Sequence, residues 1–475
     1  VDEALKRVRT AFERAEYTVE GVRALLGPVA GGALARDEIV PALRATRDGS
    51  PLSDLVRLFW LQVPVPAPAG IADDLVATGL AERSGGEVRA LLHVEPVEGV
   101  RGGHAGYAVS DRKVRPGAGT LRPDHVVGAG GASASLANLV VERPFGTALD
   151  VGTGCGVQAL HLAGRAARIT ATDVNPRALE LTRLSLALSG ATAELLPGSL
   201  YEPVAGRSFD LIVSNPPFVV SPDGRYTYRE SGLPGDEVCR RLVAGAPAHL
   251  AEDGWCQLLA NWLHVEGTPW AERVGEWAAA AGCDAWVVQR DVQDPAEYAE
   301  LWLRDSCETG TAEYRARYDA WLDHFERHRV TGIGFGWISL HRGGADRPGV
   351  RVEELRHAVE QPVGGYVSAV LRGLSAPFSP AGALRTAAGV VQEQVGPPGA
   401  EDPERIVLRQ ANGLRRAAGV GTVEAALAGV CDGTLPLGPL LDAIAQLMEL
   451  PAEQVHAHAE AVLPELIADG FFEPA

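Results

Sequence analysis

The chain has 475 residues, 46% hydrophobic and 22% charged, a globular balance rather than a disordered one. That length predicts two to four domains, and no apolar run reaches the roughly 18 residues of a membrane span. The net charge of -18 disfavours the phosphate backbone of nucleic acid, which is held mostly by Lys and Arg, although a local basic patch would suffice.

The opening stretch, VDEALKRVRTAFERAE, predicts a charged amphipathic helix ending near Gly27 and does not read as a signal peptide. Three apolar-periodic segments follow between residues 37 and 82, and SGGEVRALLHVEPV reads as a Gly-Gly turn into a strand. Together they predict a winged-helix-like N-terminal domain over residues 1–120. Its third helix carries Asp73 and Asp74, with only Arg83 at the far end. That balance favours a packing or lid role over nucleic-acid reading.

From Ala148 to Arg342 strands and helices alternate, which predicts a largely parallel sheet covered on both faces. Seven strand candidates occur: TALDVG, RITATDV, AELLPGS, FDLIVSN, WCQLLAN, DAWVVQR and FGWISLHR. Ligands of such sheets bind beyond the carboxyl ends of the strands. Residues 343–372 read as a linker with a helix over RVEELRHAVE. The remainder, to residue 475, reads as an acidic helical domain with no Lys or Arg after Arg416, suited to a structural or protein-contact role.

Six cysteines lie scattered without CxxC pairs, which predicts a reducing, cytoplasmic setting and neither zinc nor disulfides. His456 and His458, two residues apart, point to different helix faces and form no ligand pair.

Four short segments carry the chemistry. In ALDVGTGCGVQAL, Asp150 is followed by Gly152, Gly154 and Gly156, so the backbone turns tightly and can approach a ligand closely. The spacing fits neither a dinucleotide fingerprint nor a phosphate loop, and Asp150 suits a cationic ligand. Cys155 within this loop reads as a small space-filling residue. In ATDVNPRAL, Asp173 ends the next strand and can accept both hydroxyls of a ribose. Asp173 or Asn175 can also cap the helix that starts at Pro176.

Ser199 and Leu200 close the third strand, where they can lie against a base. The fourth segment is SNPPFVVSP. Asn215 offers an amide oxygen, and proline nitrogens carry no N–H to occupy the neighbouring carbonyls. The Asn215 amide oxygen and the Pro216 carbonyl can grip the two hydrogens of a planar –NH2 group, with Phe218 stacked on that group.

These segments, in this order, resemble the class I S-adenosylmethionine-dependent methyltransferases. The branch with an Asn-Pro-Pro-aromatic motif is the most similar, and it includes glutamine-amide and nucleobase-amino enzymes. The resemblance covers residues 121–345 and implies a Rossmann-like seven-stranded α/β methyltransferase sheet between the N-terminal domain and a helical domain over 346–475.

It further implies S-adenosyl-L-methionine as cofactor. Asp150, Gly152, Gly154 and Gly156 would hold its methionine part, Asp173 its ribose, and Ser199 and Leu200 its adenine, with Asn215 at the junction with the acceptor. Many relatives carry an acid where this chain has Ser199. Ser133 and Ser135, in VVGAGGASASLANLV, would lie over the cofactor. Asn215, Pro216 and Phe218 would be the catalytic residues, with no metal.

The expected acceptor is an amide or amino nitrogen of a protein, peptide or small molecule. A nucleobase amine is the rival, with Arg225 and Arg229 as its candidate basic groove. A cofactor-binding interaction protein without catalysis is the reading from another class. The loop DGRYTYRESGLPGDEV, with Asp236 near its end, can close over the acceptor, and Asn261 and Trp262 can line the pocket.

Overall fold

A computed structural model describes residues 2–68, 70–100, 102–113, 122–222, 232–304, 311–344, 346–374, 381–398 and 403–475. The loop residues Arg225, Arg229 and Glu230 fall outside the described residues.

The N-terminal segment is helical at first, but not as one rod. Helices Asp2–Arg14 and Val19–Leu34 are separated by a break in which Glu16 adopts φ 55°. Thr18 accepts from the Gly21 N–H and caps the second helix, and the chain leaves helical geometry at Gly27 (φ 63°, ψ 176°), where the sequence placed a helix end, before a further helical stretch to Leu34. The break is fixed by tertiary contact: the buried Tyr17 hydroxyl donates to the Val94 carbonyl at 2.6 Å. The segment then makes short helices and a three-stranded sheet of Val65–Pro66, Glu87–Ala90 and Ala81–Ser84. The helix carrying Asp73 and Asp74 is one of these short pieces, Ala72–Ala77.

A hairpin of β1 (His93–Glu98) and β2 (His104–Ser110) comes next. Its second strand lies along a helix of the central domain, where the Ser185 and Ser189 hydroxyls accept from the Val109 and Tyr107 N–H groups. The hairpin is therefore packed into the central domain, although it lies within residues 1–120. One continuous hydrophobic core runs from Leu5 through Tyr107 to Trp286.

The central domain starts with α1 (Gly131–Leu139). It continues β3 (Phe145–Val151), α2 (Val157–Leu162), β4 (Ala166–Asp173), α3 (Pro176–Ser189), β5 (Glu194–Pro197) and β6 (Phe209–Ser214). Then come α4 (Glu237–Gly245), β7 (Leu250–Val265), α5 (Trp270–Ala280), β8 (Asp284–Gln293), α6 (Pro295–Arg304), α7 (Ala312–Arg327) and β9 (Val330–His341). A further strand, β10 (Val350–Glu354), precedes α8 (Gly364–Leu374).

The sheet order is β10-β8-β9-β7-β6-β3-β4-β5, with every neighbouring pair parallel except the two that involve β9. The expected seven strands are all present, and β10 makes an eighth where the sequence suggested a helix. Its charged side chains are held by other elements. Glu353 accepts from the Trp286 indole at 2.6 Å and pairs with Arg416, which also bonds Asp469. This edge strand extends the sheet past residue 345 and ties it to the C-terminal segment.

The C-terminal segment is not purely helical. Helices Thr422–Val430, Leu437–Leu447 and Ala452–Ala468 pack with two three-stranded antiparallel sheets around a separate core. Among the described residues no helix is long and apolar enough to cross a membrane.

Candidate active site

The carboxyl ends of β3, β4, β5 and β6 open into one cavity of about 370 Å³, and all four chemical segments contribute to its wall. Gly152 (φ 74°) and Gly154 (φ 59°) turn the chain out of β3, and a Cβ on either would meet nothing within 4 Å. Gly156 is required for a different reason. A Cβ there would lie 2.9 Å from the Thr182 methyl on α3, so this glycine allows α2 and α3 to pack closely.

The Asp150 side chain is 1% exposed and does not reach the cavity wall. It accepts from the Thr153 hydroxyl at 2.7 Å, and Thr153 does line the cavity. Its other oxygen, Oδ1, has no hydrogen-bond partner, and burial pushes the carboxyl up to about 7. Cys155 is on the wall, but burial pushes its thiol up to about 12, so it stays protonated and non-nucleophilic.

Asp173 is the acid on the wall. Its two carboxylate oxygens accept from the Gly154 N–H at 3.0 Å and the Asn175 N–H at 2.8 Å, and burial raises its pKa. Each oxygen keeps a lone pair for a ligand. Asn175 caps α3, accepting from the Arg177 N–H at 3.0 Å, with Pro176 in the first helical turn. Cap and acid are thus separate residues of one short motif. The Asp173 carbonyl accepts from Gly198, which sets the loop carrying Ser199 and Leu200 beside it on the wall.

At the end of β6, Asn215, Pro216 and Pro217 line the cavity, while Phe218 does not. Phe218 is half-buried between two core clusters, so its ring serves the packing behind the motif. The Ser214 hydroxyl donates to the Val151 carbonyl at 2.8 Å and locks the motif to the glycine-loop strand.

Asn261 and Trp262 are fully buried off the wall, contrary to expectation. Asn261 donates to the Tyr298 hydroxyl at 3.1 Å, and the same hydroxyl accepts from the Val220 N–H at 3.0 Å. Trp262 donates to Gln289 inside the core. Asp236 is also structural, accepting from the Leu263 N–H and pairing with Arg273.

The remaining wall is a strip, His125 to Gly128, with Ser133 on α1. Ser135 is exposed and bonds back to the Gly131 carbonyl, away from the cavity. Sequence reasoning missed His125, Gln158 and the α4 face of Val238, Arg241 and Leu242. The i, i+3, i+4 spacing of that face was the available signal. Among the described residues no group of three His, Cys, Asp or Glu is placed to hold a metal.

A parallel sheet with one reversed strand, a glycine loop after its first strand and an acid after its second is the arrangement that the resemblance to class I S-adenosylmethionine-dependent methyltransferases implies. Residues 129–276 match the family model described as Methyltransferase small domain. Residues 14–91 match Domain of unknown function (DUF7059).

Among curated proteins, the chain is similar to the release factor glutamine methyltransferase of Xylella fastidiosa. Identity is 36% over 126 residues, covering 24% of this chain and 46% of that protein. It is also similar to the ribosomal RNA small subunit methyltransferase C of Salmonella choleraesuis, 35% over 128 residues, covering 26% and 34%. The chain therefore spans less than half the length of either relative. Among solved structures, a 16S rRNA methyltransferase of T. thermophilus in complex with AdoMet and guanosine matches at 16% identity. That match covers 59% of this chain and 63% of that one, with a TM-score of 0.29.

Proposed function

We propose that this protein is an N-methyltransferase that transfers a methyl group from S-adenosyl-L-methionine to a planar amide or amino nitrogen. The observation that carries the reading is a shared wall: Asp173, the glycine loop and Asn215–Pro216 all face one cavity. Gly152 and Gly154 leave open space for the methionine end, Asp173 offers acceptors to the ribose, and Ser199 and Leu200 flank the base.

S-adenosyl-L-methionine, when bound, supplies an electrophilic methyl on its sulfonium. The chain's part is to present the nucleophile. The Asn215 amide oxygen and the Pro216 carbonyl accept the two N–H hydrogens of the acceptor. That contact localises its lone pair toward the methyl, so catalysis rests on position and electrostatics. The proton leaves after transfer, and no strong base is required.

A protein glutamine is the preferred acceptor. One set of relatives is named for release factor glutamine, and the net charge of -18 suits a polypeptide better than a polyphosphate. The ribosomal RNA relatives give the second reading, a nucleobase amine.

Radiolabelled methyl transfer to cell extract treated with protease or nuclease separates the two: label lost to nuclease overturns the protein acceptor. Asn215→Ala is expected to keep cofactor affinity and abolish transfer. Turnover that survives this substitution overturns the gripping role.

A further inference from the structure

Beyond the four segments, the cavity wall holds one Arg or Lys among the described residues, Arg241 on α4. Its surroundings are rigid. Asp236, just before α4, is fixed by the Leu263 N–H and by Arg273. At the other end of the helix the Tyr201 hydroxyl donates to the Leu242 carbonyl at 2.9 Å. The Tyr201 ring also packs so closely on Gly245 that a Cβ there would lie 2.7 Å from it. Tyr201 follows Ser199 and Leu200 directly, so α4 is clamped to the loop at the end of β5.

Arg241 is also pre-oriented. Its Nε donates to Glu237 Oε1 at 2.7 Å, while its two terminal nitrogens make no hydrogen bond among the described residues. Bonds from Arg240 and Arg241 pull the Glu237 carboxyl down to about 2, so this anchor stays ionised. Leu200, Leu233 and Leu242 give the same part of the wall its apolar surface. Apolar side chains and a guanidinium on one cavity wall suit a planar heterocycle whose ring nitrogens accept hydrogen bonds.

The order of strand ends indicates which heterocycle. The glycine loop follows β3, Asp173 ends β4 and Ser199 follows β5, so a ligand whose ribose meets Asp173 extends its base toward Ser199. An acid at position 199 would compete for the guanidinium. A serine leaves it free to face the base.

We infer that Arg241 is a cofactor-binding residue that recognises the adenine ring through its free guanidinium edge, with Ser199 beside it. This rests on the cofactor reading above.

The test is isothermal titration of the full chain with S-adenosylhomocysteine and, separately, with 5′-methylthioadenosine, which keeps the adenosine and lacks the amino-acid tail. Arg241→Leu is expected to weaken both ligands by the same factor of about ten, the loss of one charge-assisted hydrogen bond. Arg241→Lys should fall between Arg241→Leu and the unaltered protein, since it keeps the charge and loses the planar fork.

Arg241 is exposed, so an unchanged thermal midpoint is expected and separates this effect from misfolding. Equal affinities in Arg241→Leu and the unaltered protein overturn the inference. So does a loss confined to S-adenosylhomocysteine. If the unaltered protein binds neither ligand, the cofactor reading itself fails.

Discussion

The Asp111 carboxylate accepts the Val126 N–H at 2.9 Å, and three residues further along the Glu95 carboxylate accepts the Ala129 N–H at 2.8 Å. Both acids come from the β1–β2 hairpin and the residue that follows it, and between them they hold the strip that closes one side of the cavity. Gly128 sits so close to Glu95 that a Cβ would collide with the carboxylate. The hairpin thus supports the cavity wall from behind, although it lies outside the matched methyltransferase segment.

Glu95 should therefore control cofactor affinity without touching the cofactor. Glu95→Ala leaves the Ala129 N–H without its acceptor and is expected to weaken S-adenosylmethionine binding about tenfold, in line with a lost buried partner. Glu95→Gln keeps an oxygen acceptor and should stay within about threefold. Titration calorimetry below the thermal midpoint checks both; equal losses in the two variants would count against the positioning role.

On the acceptor side the corresponding device is Tyr298, at the root of the helical pair inserted between β8 and β9. Its hydroxyl is fully buried and accepts from both Val220 N–H and Asn261 Nδ2, which fixes the chain just after the Asn-Pro-Pro turn. Tyr298→Phe strands two buried donors, so a stability loss of about 1–3 kcal/mol is expected. The rate at saturating cofactor should fall, with cofactor affinity unchanged. A variant that loses affinity and keeps its rate would place this contact on the wrong side of the cavity.

The glycine loop separates folding from binding within three positions. Gly156→Ala forces a Cβ against Thr182 at a residue with φ 81° and should destabilise the fold by about 1–3 kcal/mol. Gly154→Ala, at φ 59°, meets open space and carries mainly the backbone penalty of about 1 kcal/mol. Its methyl, however, enters the cavity. The expected pattern is a larger drop in thermal midpoint for Gly156→Ala and a larger drop in cofactor affinity for Gly154→Ala, and the reverse order would refute the assignment.

The sheet and its cavity were legible because their signals are local. Asp173, Asn175 and Pro176 fall within four consecutive positions, and a glycine loop after an apolar strand needs no distant partner to be recognised. What could not be read depends on tertiary contact. RVEELRHAVE has a helical charge pattern, yet Val350–Glu354 pairs with β8 because Trp286, Arg351 and Arg416 all converge on Glu353. The first helix breaks at Tyr17 because Val94, 77 residues away, takes its hydroxyl. Phe218 looked like a stacking ring because its neighbours face the ligand, but the chain turns it into the packing between two core clusters. Among the missed C-terminal strands, Ala383–Thr386 draws its partners from Asp432–Pro436 and Phe472–Pro474, far along the chain.

Asp150 gives the pH dependence a definite sign. Burial raises its pKa from 3.8 to about 7, and Thr153 satisfies only one of its oxygens. The folded protein therefore holds this proton more tightly than the unfolded chain. The stability linked to it is complete below about pH 4 and is lost as pH rises through about 7. Asp150→Asn removes the titration. Between pH 5.5 and 8.5 the unaltered protein should lose about 2 kcal/mol relative to this variant, because roughly half of the shift falls inside that window. Denaturant melts of both proteins at the two pH values measure the difference directly. A difference that does not change with pH would show that the Asp150 carboxylate is already ionised in the folded protein at pH 5.5 and would overturn the raised pKa.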